Sequence, residues 1–186
     1  AGVFLLRDGQ AVAENVLLTF DGQAWTSEKT VKVNGEEICF VYSPYRQNAS
    51  AVVDYSADNA ADFFRPLLGS GKHVLDQSDY ASVRRNDICF AEVYPVKTDT
   101  ELKINAPLDH LLALAMWELT DGTRYTTADG FSYNTPSSYT GIKATLDGQE
   151  IKPCGVSSYK AFYYVPKSDG SKITVSYTDA GESKSF

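Results

Sequence analysis

Apolar residues fall in short runs along the first part of the chain: GVFLL, NVLLTF, AWT, TVKV and EICFVY. Between them stand Asp8-Gly9, Asp21-Gly22 and Asn34-Gly35, spaced 13 residues apart. Asp-Gly and Asn-Gly suit two-residue type I′ turns, whose central positions both need φ > 0. Strand-like runs joined at such intervals predict an antiparallel meander. Within EICFVYS, alternation sets Ile38, Phe40 and Tyr42 on one face and Cys39 and Val41 on the other. Both faces are apolar, which predicts a strand in the middle of a sheet or sandwich. Ile88 and Phe90 stand in the same way against Cys89 and Ala91. The two regions share the triplet ICF and an acidic residue before it but do not otherwise align. They therefore read as two similar buried strands rather than a repeat, with their cysteines as small buried hydrophobes.

Residues 46–86 are rich in Asn, Ser, Ala, Asp and Gly, with apolar residues only in VVDY, DFFRPLL and KHVL. This predicts long loops or a short helical turn. Residues 108–119, LDHLLALAMWEL, combine helix-favouring Leu, Ala, Met and Glu with Pro107 and Asp109 at their start, so propensity alone predicts a helix. A second group of turns, Asp121-Gly122, Asp129-Gly130, Asp147-Gly148 and Asp169-Gly170, punctuates the last third. TGIKATL, YKAFYYV and KITVSY read as strands, the last two as a hairpin through PKSDGS. A boundary near residue 122 divides the chain into an N-terminal β-sandwich domain, residues 1–122, and a smaller C-terminal one, residues 123–186. The predicted class is all-β, of sandwich type.

Composition narrows the function classes. The 186 residues are 43% apolar and 22% charged, enough for one large core or two small ones. A formal charge of −7 opposes the phosphate backbone, so nucleic acid is excluded as an expected partner. The longest apolar run, HLLALAMW from His110 to Trp117, is far short of the ~20 residues that span a bilayer. The chain opens at Ala1, with no signal peptide or lipid-attachment cysteine near its start, and reads as a processed or trimmed form. Cys39, Cys89 and Cys154 are odd in number and widely spaced, so at most one pair can form. Two histidines without a CxxC or a close Cys/His pair argue against structural zinc, and no metal or cofactor is expected.

Other motifs fail on inspection. Asp54, Ser56 and Asp58 have the alternate spacing of a calcium loop, but Asn59 stands where Gly is needed and Arg65 where a bidentate Glu is needed. GSGKH, residues 69–73, lacks the earlier Gly of a phosphate-binding loop, where Pro66 stands, and has His73 in place of Ser or Thr. No nucleophile elbow is present, and neither histidine has a partner assignable from spacing, so no catalytic residue is nominated and the chain is read as non-enzymatic. His110, beside an apolar run, reads as a hydrogen-bonded structural residue. Twelve tyrosines admit stacking on sugar rings, but tyrosine is equally at home in β-sheets.

Several stretches in order, GVFLLRDG, DGQAWT, ICFVYSPY, LDQSDY, NDICFA, DHLLALAMWEL and YYVPKSDGSKITVSY, resemble the fimbrillin-like (Mfa-like) proteins of anaerobic Gram-negative bacteria. Tyr-Ser-Pro-Tyr resembles that family's aromatic-Pro-Tyr strand end. Asp-Gln-Ser followed by Asn-Asp-Ile-Cys-Phe-Ala resembles its Asp-Gln-Ser and Ser-Asp-Leu-Leu-x-Ala elements. The resemblance implies two transthyretin-like antiparallel β-sandwich domains in tandem, in a secreted pilus subunit or surface lipoprotein. The location implied is an extracellular fimbria or the cell outer membrane surface after export. It also implies that residues 110–119 form a strand, against the propensity reading, and the resemblance is followed here.

In related pilins a protease removes an N-terminal strand, and a strand from another subunit fills the apolar groove so opened. The resemblance thus implies partners that are other copies of this chain or related pilins, joined by strand addition, with host or bacterial surface glycans or proteins as adhesion targets. Beginning at AGVFLL fits a groove-open subunit, and the chain's end after KITVSYTDAGESKSF leaves out the usual donor arm. Val3, Leu5, Leu17, Phe40 and Tyr42 are the candidates for the acceptor groove. Ile173, Val175 and Tyr177 alternate as a donor strand or as the terminal strand of the chain's own sheet, so that Val175→Asp should abolish assembly and leave a soluble monomer. The alternative is a monomeric surface lipoprotein that binds glycans through aromatic loops carrying Tyr45 or Tyr55.

Overall fold

A computed structural model of the protein describes residues 1–31, 33–69, 75–97, 102–136, 140–157, 159–167, 170–179 and 182–185. Close contacts divide the chain into two units, Ala1–Ser70 with Arg85–Leu111 and Gly71–Arg84 with Leu112–Phe186. Gly122, near which the sequence suggested a boundary, lies inside a strand of the second unit. The fold is all-β, and every ladder between strands described below is antiparallel.

The first unit holds β1 (Gly2–Arg7), β2 (Gln10–Leu17), β3 (Thr19–Phe20), β4 (Trp25–Thr26), β5 (Ile38–Ser43), β6 (Cys89–Val93), β7 (Val96–Lys97), β8 (Leu102–Lys103) and β9 (Asp109–His110). Its main sheet runs β2-β1-β5-β6-β9. Asp8 and Gly9, at φ 50° and 73°, close the β1–β2 hairpin, as their residue types predict. The expected meander breaks after β2. The strands β3 and β4 pair only with each other over two residues, and β5 returns to lie beside β1. Being apolar on both faces, β5 takes an interior place, third of five.

One face of this sheet is aromatic. Phe4 of β1 lies opposite Phe40 of β5, with Tyr42 on the same side. A short helix, α1 (Ala60–Phe64), is capped by Asn59, whose Oδ1 accepts the Asp62 N–H at 2.9 Å. It carries Phe63 and Phe64 onto that face, with ring centroids 5.0 Å from Phe4 and 4.8 Å from Tyr42 respectively. The phenol of Tyr42 is buried and sits 2.7 Å from Asn15 Oδ1 and 3.0 Å from the Arg46 N–H, and burial pushes it up to about 12. Gly2 admits this ring: a Cβ there would lie 2.2 Å from Tyr42 Cε1.

Glu37, fully buried just before β5, fixes the Asn34-Gly35 turn. Its carboxylate accepts the Asn34 and Gly35 N–H groups, the latter at 2.9 Å, and pairs with the Arg7 guanidinium. Burial pushes this carboxyl up from its ordinary value of 4.5, and the Arg7 hydrogen bond with the backbone N–H groups outweighs burial and holds it at about 2.

A second helix, α2 (Tyr80–Asn86), precedes β6 and, like α1, falls within residues 46–86, where the sequence suggests loops or a short helical turn. The second unit holds β10 (Leu112–Glu118), β11 (Thr120–Thr126), β12 (Ser132–Pro136), β13 (Thr140–Leu146), β14 (Gln149–Ile151), β15 (Gly155–Val156), β16 (Lys160–Pro166), β17 (Ile173–Asp179) and β18 (Glu182–Ser185). They form the sheets β10-β16-β15 and β14-β13-β17-β18 and the hairpin β11-β12. Ala161, Tyr163 and Val165 alternate inward on β16, and Ile142, Ala144 and Leu146 do so on β13. Each sheet thus has one buried face.

Of three local expectations, one holds against helix propensity, as the resemblance implied, and two are corrected. Residues 112–118 are a strand, not the helix that propensity favours, because all seven pair with β16, from Leu112 opposite Pro166 to Glu118 opposite Lys160. Helix preference is worth only tenths of a kcal/mol per residue, which a full ladder overrides. Asp121-Gly122 is not a turn but lies within β11, between the ladder pairs of Thr120 and Arg124 where the register shifts. YKAFYYV and KITVSY do not form a hairpin: β16 pairs with β10 and β15, whereas β17 pairs with β13 and β18, so the chain changes sheets between them. Asp169 and residues 70–73 of GSGKH lie outside the described residues. The LDQSDY segment acts as a clasp: the Gln77 amide donates to Tyr164 O and accepts the Tyr164 N–H, both at 2.6 Å, and Lys152 Nζ reaches Asp76 at 2.7 Å.

Two predictions follow from this packing. Because the folded-state value of Glu37 lies below its ordinary one, its stabilising contribution is fully present above about pH 4.5 and is lost as pH falls through about 2. Glu37→Gln should therefore lower thermal stability at neutral pH and flatten the fall in melting temperature across that window, measured by circular dichroism. Val175 is 1% exposed, on a strand bonded on both sides, so Val175→Asp should destabilise the second unit by at least ~3 kcal/mol rather than yield a folded, assembly-deficient monomer. Urea denaturation checks this.

Candidate functional site

The opposite face of the first sheet is aliphatic. Val3 and Leu5 of β1, Cys39 and Val41 of β5 and Ala91 of β6 form one buried cluster because Val3 pairs with Val41 and Leu5 with Cys39. Its cover is thin. Leu18, Val31, Val33 and Ala106 are only half-buried against it, and the segments that supply them contribute no strand longer than two residues among the described residues. A groove of about 530 Å³ remains between Val3 and Val41 on the floor and Leu18, Trp25, Ile104 and Leu108 on the walls. A second hollow of about 190 Å³, with Leu5, Val16, Val31 and Val33, shares Val3, Leu18 and Ile104 with it. Trp25 is 56% exposed, Leu108 43% and Ile104 41%, so the walls show large apolar surface to solvent.

At the sheet margin, β9 pairs with β6 only at Cys89 and Phe90. Beyond Phe90 that side of β6 has no strand partner among the described residues. An extended chain needs pockets for alternate side chains, which the apolar trough offers, and a ladder for its backbone, which a strand margin without a partner among the described residues offers.

The candidates named from sequence separate. Val3 is in the groove floor, and Leu5, in the same buried cluster, lines the second hollow. Phe40 and Tyr42 lie on the other face of the same sheet, under α1. Leu17, 45% exposed, lines a different cleft with Asn15, Thr26 and Tyr45. Ile173, Val175 and Tyr177 are in β17, an interior strand of its own sheet. The wall residues Leu18, Trp25, Ile104 and Leu108 were not singled out, although an exposed Trp or Ile in a turn-rich stretch is a signal that pattern alone offers.

The cysteines resolve the opening triplets. All three are free, and Cys39 lies opposite Val93 while Cys89 lies opposite Ser43, so the two are four residues apart along the ladder, roughly 13 Å. Burial and then Glu37 push the Cys39 thiol up to about 11, which leaves it inert. Cys89 instead meets His110, its cross-strand partner, at 3.4 Å from Sγ to Nδ1, and the Asp87 carboxylate lies 2.9 Å from the same nitrogen. His110 thus has spatial partners that spacing along the chain concealed. The trio is not laid out as a nucleophile, base and orienting acid, which would engage the two ring nitrogens separately.

No protein-family model and no curated protein matches the sequence. Among solved structures, the fold is similar to that of a fimbrial protein from Bacteroides ovatus, with a TM-score of 0.59 at 20% identity. That alignment covers 100% of this chain and 39% of the other, so the chain spans well under half the length of that protein. A candidate cell adhesion protein from Bacteroides uniformis aligns over 100% of this chain and 76% of its own at 16% identity, with a TM-score of 0.46, too distant to carry an argument.

Proposed function

We propose that this chain belongs to a structural, non-enzymatic subunit of a cell-surface fimbria, built from tandem transthyretin-like β-sandwiches, that polymerises after export by accepting a strand from another subunit and so supports adhesion. The observation that carries the reading is the aliphatic groove of the first sheet, floored by Val3 and Val41 and walled by Trp25, Ile104 and Leu108. The fold shared with a fimbrial protein and the order of sequence elements that resemble fimbrillins support it.

An incoming strand gains a backbone ladder and buries alternate side chains. Four of them at about 1.5–3 kcal/mol each contribute roughly 6–12 kcal/mol before the cost of ordering the strand. A fibre held in this way needs no covalent bond. The buried β17 makes a poor donor, so the donor is assigned to a segment of a fimbrial partner other than Ile173, Val175 and Tyr177.

A second reading, sugar binding at the surface, is favoured by one observation. Tyr125 and Tyr133 on the β11–β12 hairpin stack with centroids 5.8 Å apart, and Phe131 continues the stack at 6.3 Å from Tyr133. The three are 48%, 46% and 65% exposed and offer flat apolar faces of the kind that sugar rings cover. Tyr45 and Tyr55, the sequence-based candidates, stack on Tyr42 and pack edge-on to Phe63 instead.

Unheated SDS gels with negative-stain microscopy test assembly: a ladder that collapses on boiling, with thin filaments on the grid, is the expected result. Ile104→Asp, at an exposed wall position, should remove more than 90% of the polymer with the monomer's melting temperature nearly unchanged. Equal polymer in that variant would refute the groove. A glycan array separates the second reading: it predicts sugar signals that fall at least tenfold in Tyr133→Ala and persist in Tyr45→Phe, whereas assembly alone predicts none.

A further inference from the structure

The first unit brings together three side chains of different chemistry at its β9 margin. Cys89 opens β6, Asp87 stands two residues before it, and the ladder sets His110 directly opposite Cys89. Their ligand atoms all lie within 4.8 Å of one another. We infer that Asp87, Cys89 and His110 form a binding site for one divalent transition-metal ion of the zinc class.

The geometry is what such an ion requires. Around a tetrahedral zinc, bonds of about 2.3 Å to sulfur and about 2.0–2.2 Å to nitrogen and oxygen put neighbouring ligand atoms roughly 3.3–3.6 Å apart. Cys89 Sγ and His110 Nδ1 are already 3.4 Å apart, and the Asp87 oxygens, at 2.9 and 3.0 Å from Nδ1, need to move out by only a few tenths of an ångström. Hydrogen bonding alone serves the arrangement less well. Nδ1 carries one proton or one lone pair, yet both Asp87 and Cys89 converge on it. A cation at their common centre satisfies all three.

Charge and support point the same way. As the sulfur–metal bond forms, the thiol proton leaves to solvent, with no change of oxidation state. The Asp109 carboxylate, which accepts the His110 N–H at 2.8 Å, adds to the negative surroundings. Thiolate and imidazole select zinc-class ions over calcium and magnesium, which take oxygen ligands. Asp87 is 22% and His110 53% exposed at the side chain, which gives the ion an entry path and leaves the fourth position to water. Nothing in this inference depends on fimbrial assembly.

Cobalt(II) reports on it, because a cysteine-thiolate ligand produces an intense charge-transfer absorption that oxygen and nitrogen ligands lack. Titration of the purified, reduced 186-residue chain should saturate at one equivalent, and zinc should displace the cobalt. Cys89→Ser should abolish the band, and His110→Ala should weaken binding by more than the roughly 10–100-fold that loss of an outer partner costs, while Cys154→Ser leaves both unchanged. On the unaltered protein, zinc should protect Cys89 from alkylation while Cys154 still reacts, read by peptide mapping. Absence of the band in the unaltered protein, its survival in Cys89→Ser, or alkylation of Cys89 at the same rate with and without zinc would each overturn the inference.

Discussion

Strand β5 is apolar on both faces, and the first unit is built around the need to cover both. On the Phe40 and Tyr42 side the cover is thorough: α1 delivers Phe63 and Phe64, and the Tyr42 phenol is held by Asn15 and the Arg46 backbone. On the Cys39 and Val41 side it consists of half-buried aliphatic residues from segments that form only two-residue ladders. That asymmetry is the physical basis of the proposed function. A sheet satisfied on one face and thinly covered on the other is stable enough to fold and still has apolar area to give to a partner strand.

Local chemistry was the part of the fold legible in sequence. Asp8-Gly9 and Asp147-Gly148 adopt positive φ at both residues and close hairpins, because turn preference is set by the turn residues themselves. The interior place of β5 followed from its alternation. Partner choice was not legible: β16 and β17 are equally strand-like and adjacent in sequence, yet each pairs with a strand remote from the other. Residues 112–118 show the same limit, since a weak propensity yields to a ladder whose partner lies more than 40 residues away.

The groove candidates divide for a related reason. Alternation within β5 separates Phe40 from Val41, but which of them shares a face with Val3 depends on the β1–β5 register. That register pairs Val3 with Val41 and Phe4 with Phe40. A slip of one residue would have grouped Val3 with Phe40, and nothing in either strand alone forbids it. Cys89 and His110, 21 residues apart, meet by the same kind of non-local pairing, which is why a chain without a metal-binding motif brings three ligand types to one point.

The central claim is that the thinly covered aliphatic face receives another subunit's strand, and hydrogen–deuterium exchange of monomer and polymer addresses it most directly. Backbone amides of residues 25–31 and 102–108, together with those of Ala91–Val93 that point away from β5, should exchange quickly in the monomer and become strongly protected in the polymer. Amides of α1 and of the strands under it should change little. Polymers that protect the α1 side instead, or that leave residues 25–31 and 102–108 as exchangeable as in the monomer, would contradict the account.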